Sequence, residues 1–141
     1  MLEAARDVIR AKGYAATSVE DLCARAAVTK GSFFHHFASK EALGVAAAVY
    51  WAETTTEFFA NAPYHTPHDP LDRVLAYVAF RRSIIEGDFA DFTCLVGTMV
   101  EEVHASSPAI REACGASIFG HAATLVADID AAMRARGIAS G

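Results

Sequence analysis

The chain has 141 residues, 53% hydrophobic and 21% charged, a globular composition for one domain or two small lobes and not a disordered one. No apolar run approaches the roughly 18 residues that span a bilayer, and the charges at Glu3, Arg6 and Asp7 exclude a signal-peptide reading of the N-terminus. Three widely spaced cysteines, Cys23, Cys94 and Cys114, argue against a disulfide framework or a cysteine-rich zinc site and predict a cytoplasmic protein.

The net charge of −5 argues against nucleic acid only as an average. Residues 1–43 hold six Lys/Arg against five Asp/Glu, whereas residues 44–141 hold six against twelve. All the lysines lie in the first part, and Val28–Lys40 carries two lysines, two histidines and no acid. A local positive patch on an acidic chain is the electrostatic footprint of a nucleic-acid site.

In chain order, Leu2, Ala5, Val8 and Ile9 share a helical face over residues 2–12, and Gly13 stops that helix. Thr17 or Ser18, each with an acid three residues on, caps a short second helix whose stripe is Val19, Leu22, Cys23 and Ala26. A break at Ala27-Val28 leads to Thr29, the cap of a third helix from Lys30 to about Phe37. Ser39 caps a long fourth helix with Leu43, Ala47, Tyr50, Thr54 and Phe58 on one face. The proline-rich stretch Asn61 to Pro70 is a loop, and Asp69-Pro70 starts a fifth helix with the stripe Leu71, Val74, Leu75, Val78 and Ile85, ended by Gly87-Asp88. Phe92, Leu95, Val96, Met99 and Val103 mark a sixth. Ser107-Pro108 starts the last, with Ile110, Cys114, Ile118, His121, Leu125 and Ile129 on one face and Ala116, Ala123 and Val126 on others. So many apolar faces predict burial on more than one side. No strand alternation is present. The fold class is all-α: a three-helix helix-turn-helix domain over residues 1–43, then a helical-bundle regulatory domain over residues 44–141.

Two short helices joined by a tight turn, the second opening with Thr-Lys-Gly, have the layout of a helix-turn-helix. Phe33 and Phe37 are i, i+4 neighbours placed to pack on Val8, Leu22 and Val28. That turns Lys30, Gly31 and Phe34 to the opposite face, with Ser32, His35 and His36 on the flanks. A phenylalanine exposed among small and basic residues makes sense where it meets a thymine methyl in a major groove. Thr29, Lys30 and Lys40 are placed to reach phosphates, helped by the N–H groups at the starts of the third and fourth helices.

The run Thr17-Ser18-Val19-Glu20-Asp21-Leu22-Cys23, then Ala26-Ala27-Val28-Thr29-Lys30-Gly31-Ser32-Phe33-Phe34-His35-His36-Phe37, then Ser39-Lys40-Glu41-Ala42-Leu43, resembles the DNA-binding domain of TetR-family transcriptional regulators. The resemblance implies base contacts from Lys30, Gly31, Phe34 and Ser32, and phosphate contacts from Ser18, Thr29, His35, His36 and Lys40. It implies a palindromic double-stranded DNA operator, a homodimer, and a small-molecule effector bound in the second domain, whose arrival shifts the fourth helix. Ala27 stands where the family often has glycine, and Phe34 where many members have tyrosine. By the family pattern the chain is shortened at both ends, with no basic segment before the first helix and no further helix after the last.

Phe58, Tyr77, Phe80, Phe92, Met99 and His121 are the expected pocket lining. His65 and His68 have i, i+3 spacing but no third ligand beyond Asp69, so no metal and no cofactor is expected. Arg111 beside Cys114 leaves a thiol sensor open. There is no Ser–His–Asp set, phosphate loop or carboxylate pair, so an enzyme is not expected. The sequence therefore predicts a ligand-responsive DNA-binding repressor. Two alternatives are a shortened interaction module forming mixed dimers with a full-length relative, and a small-molecule-binding bundle without DNA binding.

Overall fold

Local capping sets most helix starts. The computed structural model describes residues 1–139; Ser140 and Gly141, the end of the expected regulatory domain, lie outside them. Among the described residues there are eight α-helices and no strand: α1 (Leu2–Lys12), α2 (Val19–Ala26), α3 (Lys30–His36), α4 (Lys40–Ala60), α5 (Pro70–Ser83), α6 (Phe89–Phe92), α7 (Leu95–Val103) and α8 (Pro108–Ala135), with a 3₁₀ turn at Pro63–His65. Ser18, Thr29, Ser39, Asp69 and Ser107 each accept a backbone N–H in the first turn of the helix they precede. Ser18, not Thr17, caps α2, and Asp21 completes a capping box. Thr17 is buried instead and donates its hydroxyl to the Gly13 carbonyl. Gly13 ends α1 at φ 88°, and Ala27 closes α2 in the left-handed region at φ 54°, where its Cβ carries a strain that glycine would not.

One core joins the first three helices to the rest. Ile9, Leu22, Phe33, Leu43, Leu95, Met99 and Ile110 are among its largest members, each at most 1% exposed. The 43/44 division expected from sequence falls inside the unbroken α4, and this core spans both sides of it. Gly44 lets α4 come close to its neighbours: a Cβ there would meet Ile110 Cδ1 at 2.9 Å and the Tyr14 ring at 3.0 Å. A second cluster packs Phe59, Ala62 and Tyr64 against Tyr77, Phe80 and Ile84.

Four stripes differ from those expected. In α4 the buried line is Leu43, Gly44, Ala47, Ala48 and Phe59, while Thr54 and Phe58 face out and Tyr50 is half-buried. The second half of α4 turns Phe59, not Phe58, toward the cluster it shares with Tyr64. In α5, Leu75 and Val78 are exposed, as is Ile85 beyond its end; the inward face is Tyr77, Phe80 and Ile84. The expected sixth helix is two pieces, because Thr93 and Cys94 are extended. The break frees the carbonyls of Asp91 and Thr93, and Arg10 of α1 donates to both. In α8, Ile110, Cys114 and Ala132 are buried, but Ile118, Phe119, Val126 and Ile129 are exposed, so burial on several sides does not hold within one chain.

Candidate functional site

The helix-turn-helix presents α3 outward. Phe33 is fully buried and holds α3 against the core, with Phe37 beside it at 5.8 Å between ring centroids. Val28, expected beneath these rings, is 36% exposed and lies at the turn. Phe34 is 54% exposed, its ring edge-on to Phe33 at 5.0 Å. Lys30, Gly31, His35 and His36 are exposed on the same short helix, and Ser32 is half-buried. A Cβ on Gly31 would meet nothing closer than Thr29 Oγ1 at 3.7 Å, so the protein itself has room for a larger residue there. Its glycine is therefore suited to the close approach of something outside the chain.

The local charge is less free than the sequence suggests. Lys30 pairs with Glu20, Lys12 with Asp21 at 2.6 Å, and Arg25 with Asp7 at 2.6 Å. These exposed pairs are worth little, so a phosphate can exchange for the carboxylate at small cost. Lys40 has no carboxylate partner among the described residues. Its Nζ sits 4.4 Å over the Tyr14 ring and 3.4 Å from the Ala15 carbonyl. Partial burial lowers its pKa. Ser18 has its hydroxyl occupied in the capping box, leaving its contact to any phosphate dependent on breaking that cap.

A cavity of about 440 Å³ opens among α1, α4, α6, α7 and α8 and the α5 end. Of the six residues expected to line a pocket, Phe58, Phe92 and His121 do. Met99 is fully buried core and does not. Tyr77 stands behind the wall, its hydroxyl 2.9 Å from His121 Nε2, and Phe80 packs beside Phe58 and Phe59. Sequence reasoning missed Arg10, Trp51, Phe59 and Arg81, all of which line it. The signal for Arg81 was available: it lies one turn beyond Tyr77 on the inward face of α5, with its guanidinium 5.3 Å over Phe59 and 6.0 Å over Tyr77.

Cys114 is no thiol sensor. It is completely buried, and burial pushes its pKa up to about 11; Arg111 instead donates to the His104 carbonyl.

The surroundings of His121 favour its neutral form. Burial, then the nearby Arg81 charge, lowers its pKa below the ordinary 6.5. The unfolded chain therefore takes up a proton at a pH where the folded chain does not, and stability falls as pH drops through and below the ordinary histidine range. Urea midpoints at pH 7.5 and 5.5 check this: His121→Gln is expected to lose less stability between them than the parent chain. Equal losses would remove His121 from the acid response.

Comparison with known proteins agrees with this architecture. Residues 1–47 match the family described as bacterial regulatory proteins, tetR family. The HTH-type transcriptional repressor DhaR of Mycobacterium sp. (strain GP1) is 30% identical over 118 residues, covering 79% of this chain and 54% of DhaR. The uncharacterized HTH-type transcriptional regulator YerO of Bacillus subtilis is 42% identical over 81 residues, covering 57% of this chain and 26% of YerO. The chain thus spans about half the length of DhaR and about a quarter of YerO. Among solved structures, a TetR-family transcriptional regulator from Agrobacterium tumefaciens superposes with a TM-score of 0.80 at 22% identity, covering 99% of this chain and 73% of that one, a likeness of fold. The reduced form of Escherichia coli NemR superposes at 0.70 with 27% identity, covering 84% of this chain and 61% of NemR.

Proposed function

We propose that this chain, whose residues 1–47 match the tetR family of bacterial regulatory proteins, is a cytoplasmic, ligand-responsive transcriptional repressor of that family that binds a palindromic operator as a homodimer. Residues 1–43 read DNA and residues 44–141 hold effector and partner. The observation that carries the DNA assignment is α3: Phe33 anchors it at zero exposure while Phe34 beside it stands 54% exposed among Lys30, Gly31, His35 and His36. Such a face suits a major groove, with Lys30, Gly31, Ser32 and Phe34 toward base edges and Ser18, Thr29, His35, His36 and Lys40 toward the backbone.

Two such helices enter successive major grooves only when they lie about 34–36 Å apart. An effector in the cavity borders α4, which carries the core of both regions, so a small pivot of α4 changes that spacing. Selection of bound DNA from a random pool is the test. An enriched palindrome with half-sites about one helical turn apart is expected, and a pool that stays random would sink the reading. The exposed α8 side chains favour a second reading, mixed dimers with a longer relative, which operator binding by the purified chain alone would exclude.

Lys40 gives a finer check. Among the described residues it lacks the carboxylate partner that Lys12 and Lys30 have, so its charge is available to a phosphate. Lys40→Ala is expected to weaken all DNA sequences alike and reduce the slope of log affinity against log salt by about one. An unchanged slope removes Lys40 from the phosphate set.

A further inference from the structure

The cavity is chemically lopsided. Its walls are largely apolar, with Trp51, Phe58, Phe59 and Phe92 supplying aromatic surface. Two guanidiniums, Arg10 and Arg81, line it, against a single carboxylate, Asp91. Neither arginine is in an ion pair among the described residues. Arg81 lies over the Phe59 and Tyr77 rings. Arg10 lies over the Trp51 ring at 5.2 Å and donates to the carbonyls of Thr93, at 2.7 Å, and Asp91. Those acceptors are neutral; the Asp91 and Asp7 carboxylates act on its charge from beyond ion-pair distance. Asp91 spends an oxygen on the Asp88 N–H at the start of α6. Apart from His121, the lining carries two positive charges and one negative.

From these walls we infer that the effector is a small organic acid, an aromatic or otherwise apolar body bearing a carboxylate, whose anionic end is held by Arg81. The apolar body takes the aromatic surface, and the carboxylate takes the planar N–H fork of Arg81, which no side-chain carboxylate occupies among the described residues. This rests on the reading of the cavity as the effector site. Arg10, whose N–H groups are spent on the Thr93 and Asp91 carbonyls, adds positive potential to the same lining.

Trp51 is the one tryptophan of the chain and lines the cavity, so its fluorescence is a built-in reporter. The full chain is titrated with phenylacetate and 1-naphthylacetate, and with the matching neutral amides and primary amines. At least one acid is expected to shift Trp51 emission saturably and to bind about tenfold or more tighter than its amide or amine. Arg81→Gln is expected to weaken the acid about ten- to a hundredfold and leave the amide unchanged. Amides or amines that bind as well as the acids would overturn the acid inference while leaving the effector cavity standing. Silence from all of them, with Trp51 unmoved, would overturn both. A melting curve checks that Arg81→Gln folds. Arg81→Lys, which keeps the charge and loses the fork, is expected to bind the acid more weakly than the parent chain and more tightly than Arg81→Gln. Equal acid affinity in the parent chain and in a folded Arg81→Gln would overturn the assignment to Arg81.

Discussion

Phe33→Ala is expected to cost about 3–5 kcal/mol of folding stability, and Phe34→Ala, one residue on, about 0.5 kcal/mol or less. Phe33 is fully buried in the core cluster that also holds Ile9, Leu22 and Leu43. Deleting its ring leaves a cavity in the core that joins the first three helices to the rest. Since a domain of this size is stable by only about 5–15 kcal/mol, that loss is a large fraction of the total. Phe34 stands 54% exposed, its ring edge-on to Phe33. Its loss is expected instead in binding: about 1–3 kcal/mol at the preferred operator, with relaxed preference mainly at one position per half-site. Thermal melts and competition binding on both variants separate the two effects. A Phe34→Ala chain that melts like Phe33→Ala would mean that the outward face of α3 is rotated from the one described.

What the sequence made legible was local. A helix cap needs only a hydroxyl or carboxylate and the next three residues, and Ser18, Thr29, Ser39, Asp69 and Ser107 could be read that way. The choice between Thr17 and Ser18 was not local, because burial of Thr17 against Gly13 decides it. Stripes were legible where one face alone is apolar, as in α1 and α2. They were not in α4 and α5, which carry apolar side chains nearly all round. Leu75 and Val78 have the same periodicity as Tyr77 and Phe80 displaced around the helix, and only packing against the Phe59 cluster tells the inward set from the outward one. The DNA-facing residues were legible because they sit in one continuous stretch. The cavity was not, since Arg10 reaches it from 83 residues before Thr93 and an arginine on a helix reads in sequence as a solvated charge. The break between α6 and α7 depends on the same long-range contact, which satisfies the carbonyls an unbroken helix would have kept.

Phe119→Glu is expected to abolish self-association. Along α8 the residues Phe119, Ala122, Val126 and Ile129 follow one another at steps of three and four, so they share one face, and Phe119 is 75% exposed on it. The opposite face, with Ile110, Cys114 and Ala132, is already buried against this chain's own helices. An apolar stripe left exposed among the described residues is covered most economically by its own copy about a two-fold axis, where every residue acts twice. Burying a phenylalanine is worth about 1.5–3 kcal/mol, so removing it from both sides costs roughly 3–6 kcal/mol per dimer before the carboxylate's own desolvation is counted. That corresponds to about a hundred- to ten-thousandfold in the dimer constant. Sedimentation velocity over a concentration series reads it directly, with far-ultraviolet circular dichroism to show that the fold is kept. Val78→Glu is the control, since Val78 is a comparably exposed apolar side chain on α5. Loss of association in Phe119→Glu alone places the two-fold axis on α8 and is expected to weaken the palindromic operator far more than a single half-site, because one helix-turn-helix then binds without its twin. Loss in Val78→Glu alone would move the axis to α5, where Leu75 and Val78 form the other exposed apolar stripe.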